Sequence, residues 1–355
     1  MLKLRRGTVV AIDPLMVDVG DEHRPAWADT TLVGEVEVGD EVVVNTRARD
    51  LGLGSGGFDI VHVNLTRGLF GDGEEGVHVI KLNYTSLQHP VEPVEIEHGD
   101  PDLGPKPPTM VISLHGHLAP VAWAAAEARP GLRVGFLQGA GAALPGTMSR
   151  DVRKLRKLGL LCGHVTAGPA YGGEHEAISL VGGLDAAARR LGWEAIVVGP
   201  GPGILGSATR LGHGGMAALD AAHAALALGL PTMLCPRMSS SDSRDRHRGL
   251  SHHTASVLEL LLAPVRVPVP EAELEGWPLL GGEGVPVGGS AAAALEELIE
   301  LCTGHHDLAV ETINLDGYAD SGLPSSTMGR TIEEDPLFFA APLAAGRALA
   351  AAAGG

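Results

Sequence analysis

Aromatic residues are scarce in this chain: Phe, Trp and Tyr make up 3% of 355 residues. The core must therefore rest on Ala, Val, Leu and Ile, and such small side chains imply close approach of helices and sheet. Cysteine is also rare. Cys162, Cys235 and Cys302 lie far apart with no C-x-x-C pair, which excludes a disulfide framework and a zinc ribbon and fits a reducing compartment. Basic residues are outnumbered, 26 Lys and Arg against 43 Asp and Glu, for a formal net charge of -17. That balance argues against nucleic acid or an anionic membrane as partner, since both require basic faces. No uninterrupted apolar run approaches the roughly 18 residues of a membrane helix; even AALDAAHAALALGLPTMLC carries Asp220 and His223. The opening MLKLRRGTVVAIDP has basic residues with no apolar run behind them. No signal peptide is expected, and a soluble cytoplasmic protein is.

Two textures divide what is present. Up to residue 98, short Val- and Thr-rich segments (GTVVAID, LMVDVG, FDIVHVNL, HVIKLNYT) alternate with Gly and Asp turn signals, predicting a small all-β, barrel-like domain. Within it, GEVEVGDEVVVN sets Val36 and Val38 against Val42 and Val44 across Gly39-Asp40, the pattern of a hairpin. Residues 99–109 are proline-rich and aperiodic and are expected to be a linker. From 110 to 355, short apolar strands alternate with amphipathic helices: MVISL with APVAWAAAEA, LRVGFLQ with SRDVRKLRKLG, EAIVVG with GGMAALDAAHAALALG, PTMLC with TASVLELLL. This grammar predicts a Rossmann-like α/β domain built on a parallel sheet, with a C-terminal helical extension.

Ligands of open parallel sheets bind beyond the carboxyl ends of the strands, and the polar clusters of this half fall at those ends. Gly201, Gly203 and Gly206 form G-x-G-x-x-G after AIVVG and, with Ser207, are candidates to hold an anion at a helix amino end. Pro200 and Pro202 remove two donors from that turn, and no Walker lysine follows. The loop CPRMSSSDSRDRHRGLSHHT gathers Arg237, Arg244, Arg246 and Arg248. Arginine is suited to a bidentate grip on phosphate or carboxylate, and Arg237, Arg246 and Arg248 are the candidate ligands; pairing with Asp242 and Asp245 is the competing role. His252 and His253, behind the candidate N-cap Ser251, are candidate acid–base catalysts. Gln138 and Tyr171, at the ends of neighbouring strands, are further ligand-binding candidates. His115-x-His117 with Glu174 is a candidate divalent-metal set, although H-x-H alone is a weak signal. Asp316 and Asp320 read as turn residues that could reach the site from the tail.

The segments LHGHLAPVAWA, ALPGTMSRDVRKLRKLGLL, GPAYGGEHEAISLVGGL, VVGPGPGILGSATRLGHGG and RDRHRGLSHHT together resemble an uncharacterised bacterial family of unknown function, DUF3866. The resemblance spans most of the chain and implies a soluble bacterial protein, with no reaction or site residue carried over. Three functions are open at this point: an enzyme acting on a small anionic, phosphorylated or nucleotide-like metabolite; a non-catalytic sensor of such a metabolite whose β domain meets a protein partner; and a metal-dependent hydrolase centred on His115 and His117. The cofactor is unassigned apart from that divalent metal, and a homo-oligomer is left open.

Overall fold

The structure, a computed structural model, describes residues 1–52, 56–71, 77–95, 104–207, 209–271 and 289–354. Residues 99–103 of the expected linker fall outside the described residues. The chain divides into two compact units, Met1–Glu92 and Pro93–Gly355.

In the first unit β1 (Leu4–Ile12), β2 (Leu15–Val19), β3 (Glu22–Trp27), β4 (Glu41–Asn45) and β5 (Asp59–Asn64) close into a barrel in the order β1-β2-β3-β5-β4. One-turn helices α1 (Thr30–Val33) and α2 (Arg47–Asp50) follow β3 and β4, and β6 (Ile80–Lys81) pairs with β7 (His89–Pro90). Alternation of Val with polar residues puts Val9, Val17, Val42, Val44 and Val61 into the interior. The hairpin expected across Gly39-Asp40 does not form. Val36 and Val38 lie in irregular chain, and β4 pairs with β1 and β5 instead, Val42 facing Gly7 on one side and Asn64 on the other. The cause is a buried polar turn. The Asp40 carboxylate accepts from Glu37 N, Asn64 Nδ2 and Arg67 Nε, while its carbonyl accepts from Val9 N. Those bonds fold the turn onto β1 rather than extending a two-stranded ladder.

The second unit is an eight-stranded, all-parallel sheet. Its order is β11 (His175–Ala177), β10 (Gly163–Ala167), β9 (Val134–Gly139), β12 (Ala195–Pro200), β8 (Thr109–Ile112), β13 (Thr232–Cys235), β16 (Arg266–Pro270) and β17 (Asp307–Glu311). The central strands read as continuous apolar runs because both faces are covered; TMVI in β8 and AIVVGP in β12 are buried throughout. On one face, α3 (Leu118–Ala128), α4 (Arg150–Lys157), α9 (Leu315–Ala319) and α10 (Pro336–Ala352) pack against Met110, Ile112, Phe136, Val197 and Met233. On the other, α5 (Leu180–Arg189), α6 (Ala217–Ala227), α7 (His252–Leu260) and α8 (Gly289–Cys302) cover Val111, Leu137, Ile196, Val198 and Leu234.

This arrangement positions the site. The helix after β8 leaves to one face, whereas those after its neighbours β12 and β13 leave to the other. The loops therefore diverge above the end of β8, the topological switch at which sheets of this kind place their ligands. Among the described residues no helix is long and apolar enough to cross a membrane.

The shortage of aromatics shows most clearly where α10 meets α3. A methyl group at Gly346 would stand 2.3 Å from the Val121 carbonyl oxygen and 2.8 Å from Ala124 Cβ. Alanine in place of glycine favours an exposed helix by about 1 kcal/mol, but here backbone blocks the space. Gly346→Ala should therefore destabilise the protein by about 1–3 kcal/mol, measured by chemical denaturation. An unchanged or raised midpoint would show that the helices have room to part.

Candidate functional site

The loop after β13 is closed at its base by β14 (Met238–Ser239), paired antiparallel with β15 (Gly249–Leu250). Between them the chain wraps around Asp242, which is almost fully buried. Its carboxylate accepts from Arg244 Nε at 2.9 Å and Arg244 Nη2 at 2.8 Å, and from Arg330 Nη2 at 3.3 Å. Arg330 arrives from the tail, on β19 (Arg330–Thr331), which pairs with β18 (Ser326–Thr327). Asp335, just before α10, completes the latch. It accepts from Ser239 Oγ, Ser240 N, Ser240 Oγ and Arg330 Nε at 2.6–3.0 Å. Part of the arginine cluster thus orders the loop through ion pairs.

Arg237 is different. It is 2% exposed, and its nearest carboxylate, Asp242, lies 3.9 Å away and is already engaged by Arg244 and Arg330. Its Nη1 donates instead to His253 Nδ1 at 3.2 Å. Burial, aided by Arg244, draws the guanidinium down to about 10. Arg246 is exposed and has no ion-pair partner among the described residues, while Arg248 contacts Asp245 at 3.4 Å.

Four histidines gather beside Arg237. His253 stacks face to face on His213, ring centroids 3.7 Å apart and planes 9° apart. His252 lies 5.0 Å from both His213 and His247. Ser251 caps α7, its Oγ accepting from His253 N and bonding His247 Nδ1. Burial lowers the basicity of all four rings; for His252 and His253 neighbouring arginines add to it, and His247 is held near 3. Burial thus favours the neutral form of each ring.

His213 arrives from β12 by way of the glycine-rich segment. Gly206 bridges His213, Ser207 N donates to Gly212 O, Leu205 N to Gly141 O and Gly214 N to Leu205 O. The G-x-G-x-x-G turn thus rises into a small hairpin whose return arm carries His213, and α6 starts only at Ala217. The helix begins where the sequence pattern GGMAALDAAHAALALG placed it, after the long glycine-rich segment. A methyl group on Gly201 would lie 2.4 Å from Ala143 O, so close packing requires that glycine. Ser207 Oγ is bonded to Gly212 O and Thr209 Oγ1.

His213 Nε2 donates to the Arg210 carbonyl at 2.9 Å, which fixes its tautomer and leaves Nδ1 as a lone pair. That Nδ1 is buried and has no hydrogen-bond partner, and the same holds for His252 Nε2. One nitrogen from each of His213, His252 and His253 lies within 4.8 Å of the others, so the three could hold a metal ion.

The remaining candidates sit elsewhere at the same sheet end. His115 is buried between the Pro200 carbonyl (Nδ1, 3.1 Å) and Ser149 Oγ (Nε2, 2.7 Å), with both nitrogens engaged. His117 Nδ1 meets the Cys235 thiol at 3.4 Å, and its ring lies against Phe338. Glu174 is exposed and paired with Arg156 at 2.8 Å. Gln138 bonds the Ala143 and Leu144 carbonyls and accepts from His164 Nε2. Tyr171 is buried beside Pro145. Asp316 and Asp320 are exposed on and after α9. Sequence reasoning missed His213, His247, Arg330 and Asp335. A histidine between glycines in LGHGG was the signal for the first; the tail pair carried none.

A family model described as protein of unknown function (DUF3866) matches residues 25–346, and the chain belongs to that family. No curated protein and no solved structure gives a match.

Removing the Asp335 carboxylate strands Arg330 and Ser239 in a buried setting. Asp335→Ala should cost about 3 kcal/mol and speed tryptic cleavage after Arg244 and Arg246. Wild-type stability together with wild-type cleavage would show that the latch is idle. Acid sensitivity tests the buried rings. Burial holds His164 near 3, with His115 and Arg156 reinforcing it. An unfolded histidine takes up a proton near about 6.5, so the native state keeps its advantage above that pH and loses it as pH falls. Each such ring adds up to about 1.4 kcal/mol per pH unit to the slope. His164→Gln, which keeps a donor for Gln138, should flatten the fall in denaturation midpoint from about pH 6.5 to about pH 4; an identical slope would place the acid sensitivity elsewhere.

Proposed function

We propose that this member of the DUF3866 family is an enzyme whose site, above the ends of β8, β12 and β13, binds a small anionic metabolite, phosphorylated or nucleotide-like. The observation that carries the reading is the undercompensated Arg237 guanidinium: buried, 3.9 Å from a carboxylate that two other arginines already occupy, and resting on a neutral histidine. A buried cation of this kind is costly unless an anion completes it. The surroundings favour one. Five arginines (237, 244, 246, 248, 330) face three aspartates (242, 245, 335), although the whole chain carries a net charge of -17. The amino ends of α6 and α7 add positive potential.

In this reading Arg237 and Arg246 neutralise the anion. Arg246 and His252 offer the accessible edge, since Arg246 is exposed and His252 partly so. Of the two histidines at the start of α7, His252 keeps an unpartnered Nε2 for the ligand's chemistry, whereas His253 is engaged by Arg237. The glycine-rich hairpin contributes by delivering His213 rather than by cradling a phosphate.

A thermal-shift screen with phosphorylated and nucleotide metabolites should yield a stabilising ligand. Arg246→Ala should weaken that ligand about tenfold or more, in line with loss of a charge-assisted contact of about 1.4–3 kcal/mol, with its own melting temperature nearly unchanged. Equal affinity in both proteins rejects the anion reading. Mass spectrometry of the ligand after incubation then decides the rest: conversion supports an enzyme, and recovery of intact ligand with every co-substrate class supplied supports a sensor.

A further inference from the structure

We infer that His213, His252 and His253 hold a zinc-class divalent cation, and that Arg237 releases His253 when the cation binds. Metal binding stands on the histidine geometry alone; the subsequent turn of Arg237 toward an anion rests on the function proposed above.

Three features point to a cation at the histidines. The first is tautomer control. A metal-bound imidazole is commonly oriented by donating its other N–H to a carbonyl or carboxylate, and His213 does so to Arg210 O, leaving a buried, unpartnered lone pair. The second is convergence. His253 Nδ1 also presents a lone pair, because it accepts from Arg237, and the three rings offer nitrogens within 4.8 Å of one another. The third is cleared space. A methyl group at Gly215 would lie 2.9 Å from both His213 Nδ1 and His253 Nδ1, so the backbone between the two lone pairs has no side chain. Three imidazole donors without a carboxylate suit zinc and its neighbours rather than magnesium or calcium.

Arg237 is the competitor. Its Nη1 lies at 3.2 Å on a lone pair that the metal needs, and a guanidinium beside a dication is repelled. Imidazole lone pairs lie in the ring plane, so His213 and His253, stacked at 3.7 Å with planes 9° apart, must also tilt out of that stack for both nitrogens to reach one ion at about 2.0–2.1 Å. Metal entry therefore displaces the guanidinium, and the freed cation is placed to meet an anion that fills the metal's open position.

The test uses the full-length chain without a histidine tag, stripped with chelator and titrated with Zn2+ or Co2+ alone. One ion per chain is expected, and bound Co2+ should show the visible absorption of a nitrogen-ligated, low-coordinate ion. His213→Ala and His252→Ala should each weaken binding about tenfold or more, Gly215→Ala should do the same without deleting a ligand, and His306→Ala should leave it unchanged. Arg237→Gln should tighten it severalfold. Absence of bound ion in the wild type, or wild-type affinity in both His213→Ala and Gly215→Ala, overturns the metal site. Weaker binding in Arg237→Gln overturns the displacement. Metal binding as described, with no effect of Arg246→Ala on metabolites, refutes the anion reading and leaves the metal site standing.

Discussion

A guanidinium buried without its own carboxylate is the constraint around which the α/β unit is arranged. Arg237 lies two residues beyond the end of the central strand β13, and its backbone is held there by bonds from Arg237 N to Thr254 Oγ1 and from Ser251 N to Arg237 O. The surrounding network compensates it only indirectly. Asp242 is shared among three arginines, and Asp335 holds Arg330 against it. Removing one buried ionic partner is far more costly than the net worth of the pair. The tail segment before α10 is thereby bound to the state of the loop after β13.

The same constraint explains why segments remote in sequence meet here. His213 descends from β12, Arg237 and His247 to His253 follow β13, and Arg330 with Asp335 come from the tail. The helices diverge on either side of β8, and these segments meet above that point. Two clefts open beside α8. One of about 350 Å³ lies at the far end of α7, lined by Glu259, Leu262 and His305; another of about 310 Å³ lies between Arg248 and Glu297 on α8. None of the clustered histidines lines either.

Much of this was legible in the residues, because periodicity reports burial. TMVI, AIVVGP and TMLC are apolar throughout since helices cover both faces, and the Val alternation of the first unit reports a one-sided core. The hairpin across Gly39-Asp40 failed for a reason periodicity does not carry: whether an aspartate in a turn faces solvent or, as here, Asn64 and Arg67. The site was half visible. An arginine-rich loop next to a strand end announces a charged locus, but which arginines are spent on neighbours depends on Asp242 and Asp335, the latter nearly a hundred residues away in sequence. His213 was hidden because its role is set by a bond to Arg210 O within a hairpin that the glycine pattern presented as a phosphate turn. His115, prominent in sequence, has both nitrogens occupied by Pro200 and Ser149.

The charges of the site point in two directions at once. Rings stacked at 3.7 Å cannot both carry protons without strong repulsion, and burial already disfavours the first. The histidines therefore present lone pairs, which call for a cation. The arginines and helix amino ends around them call for an anion. A lone anion would meet the imidazole lone pairs unfavourably, and a lone dication would meet Arg237 and Arg246 unfavourably. A metal ion bearing an anionic ligand satisfies both sets, placing positive charge against nitrogen and negative charge against guanidinium. That complementarity favours coupled occupation of the two subsites, with Arg237 resting on His253 as the cation of the unliganded site.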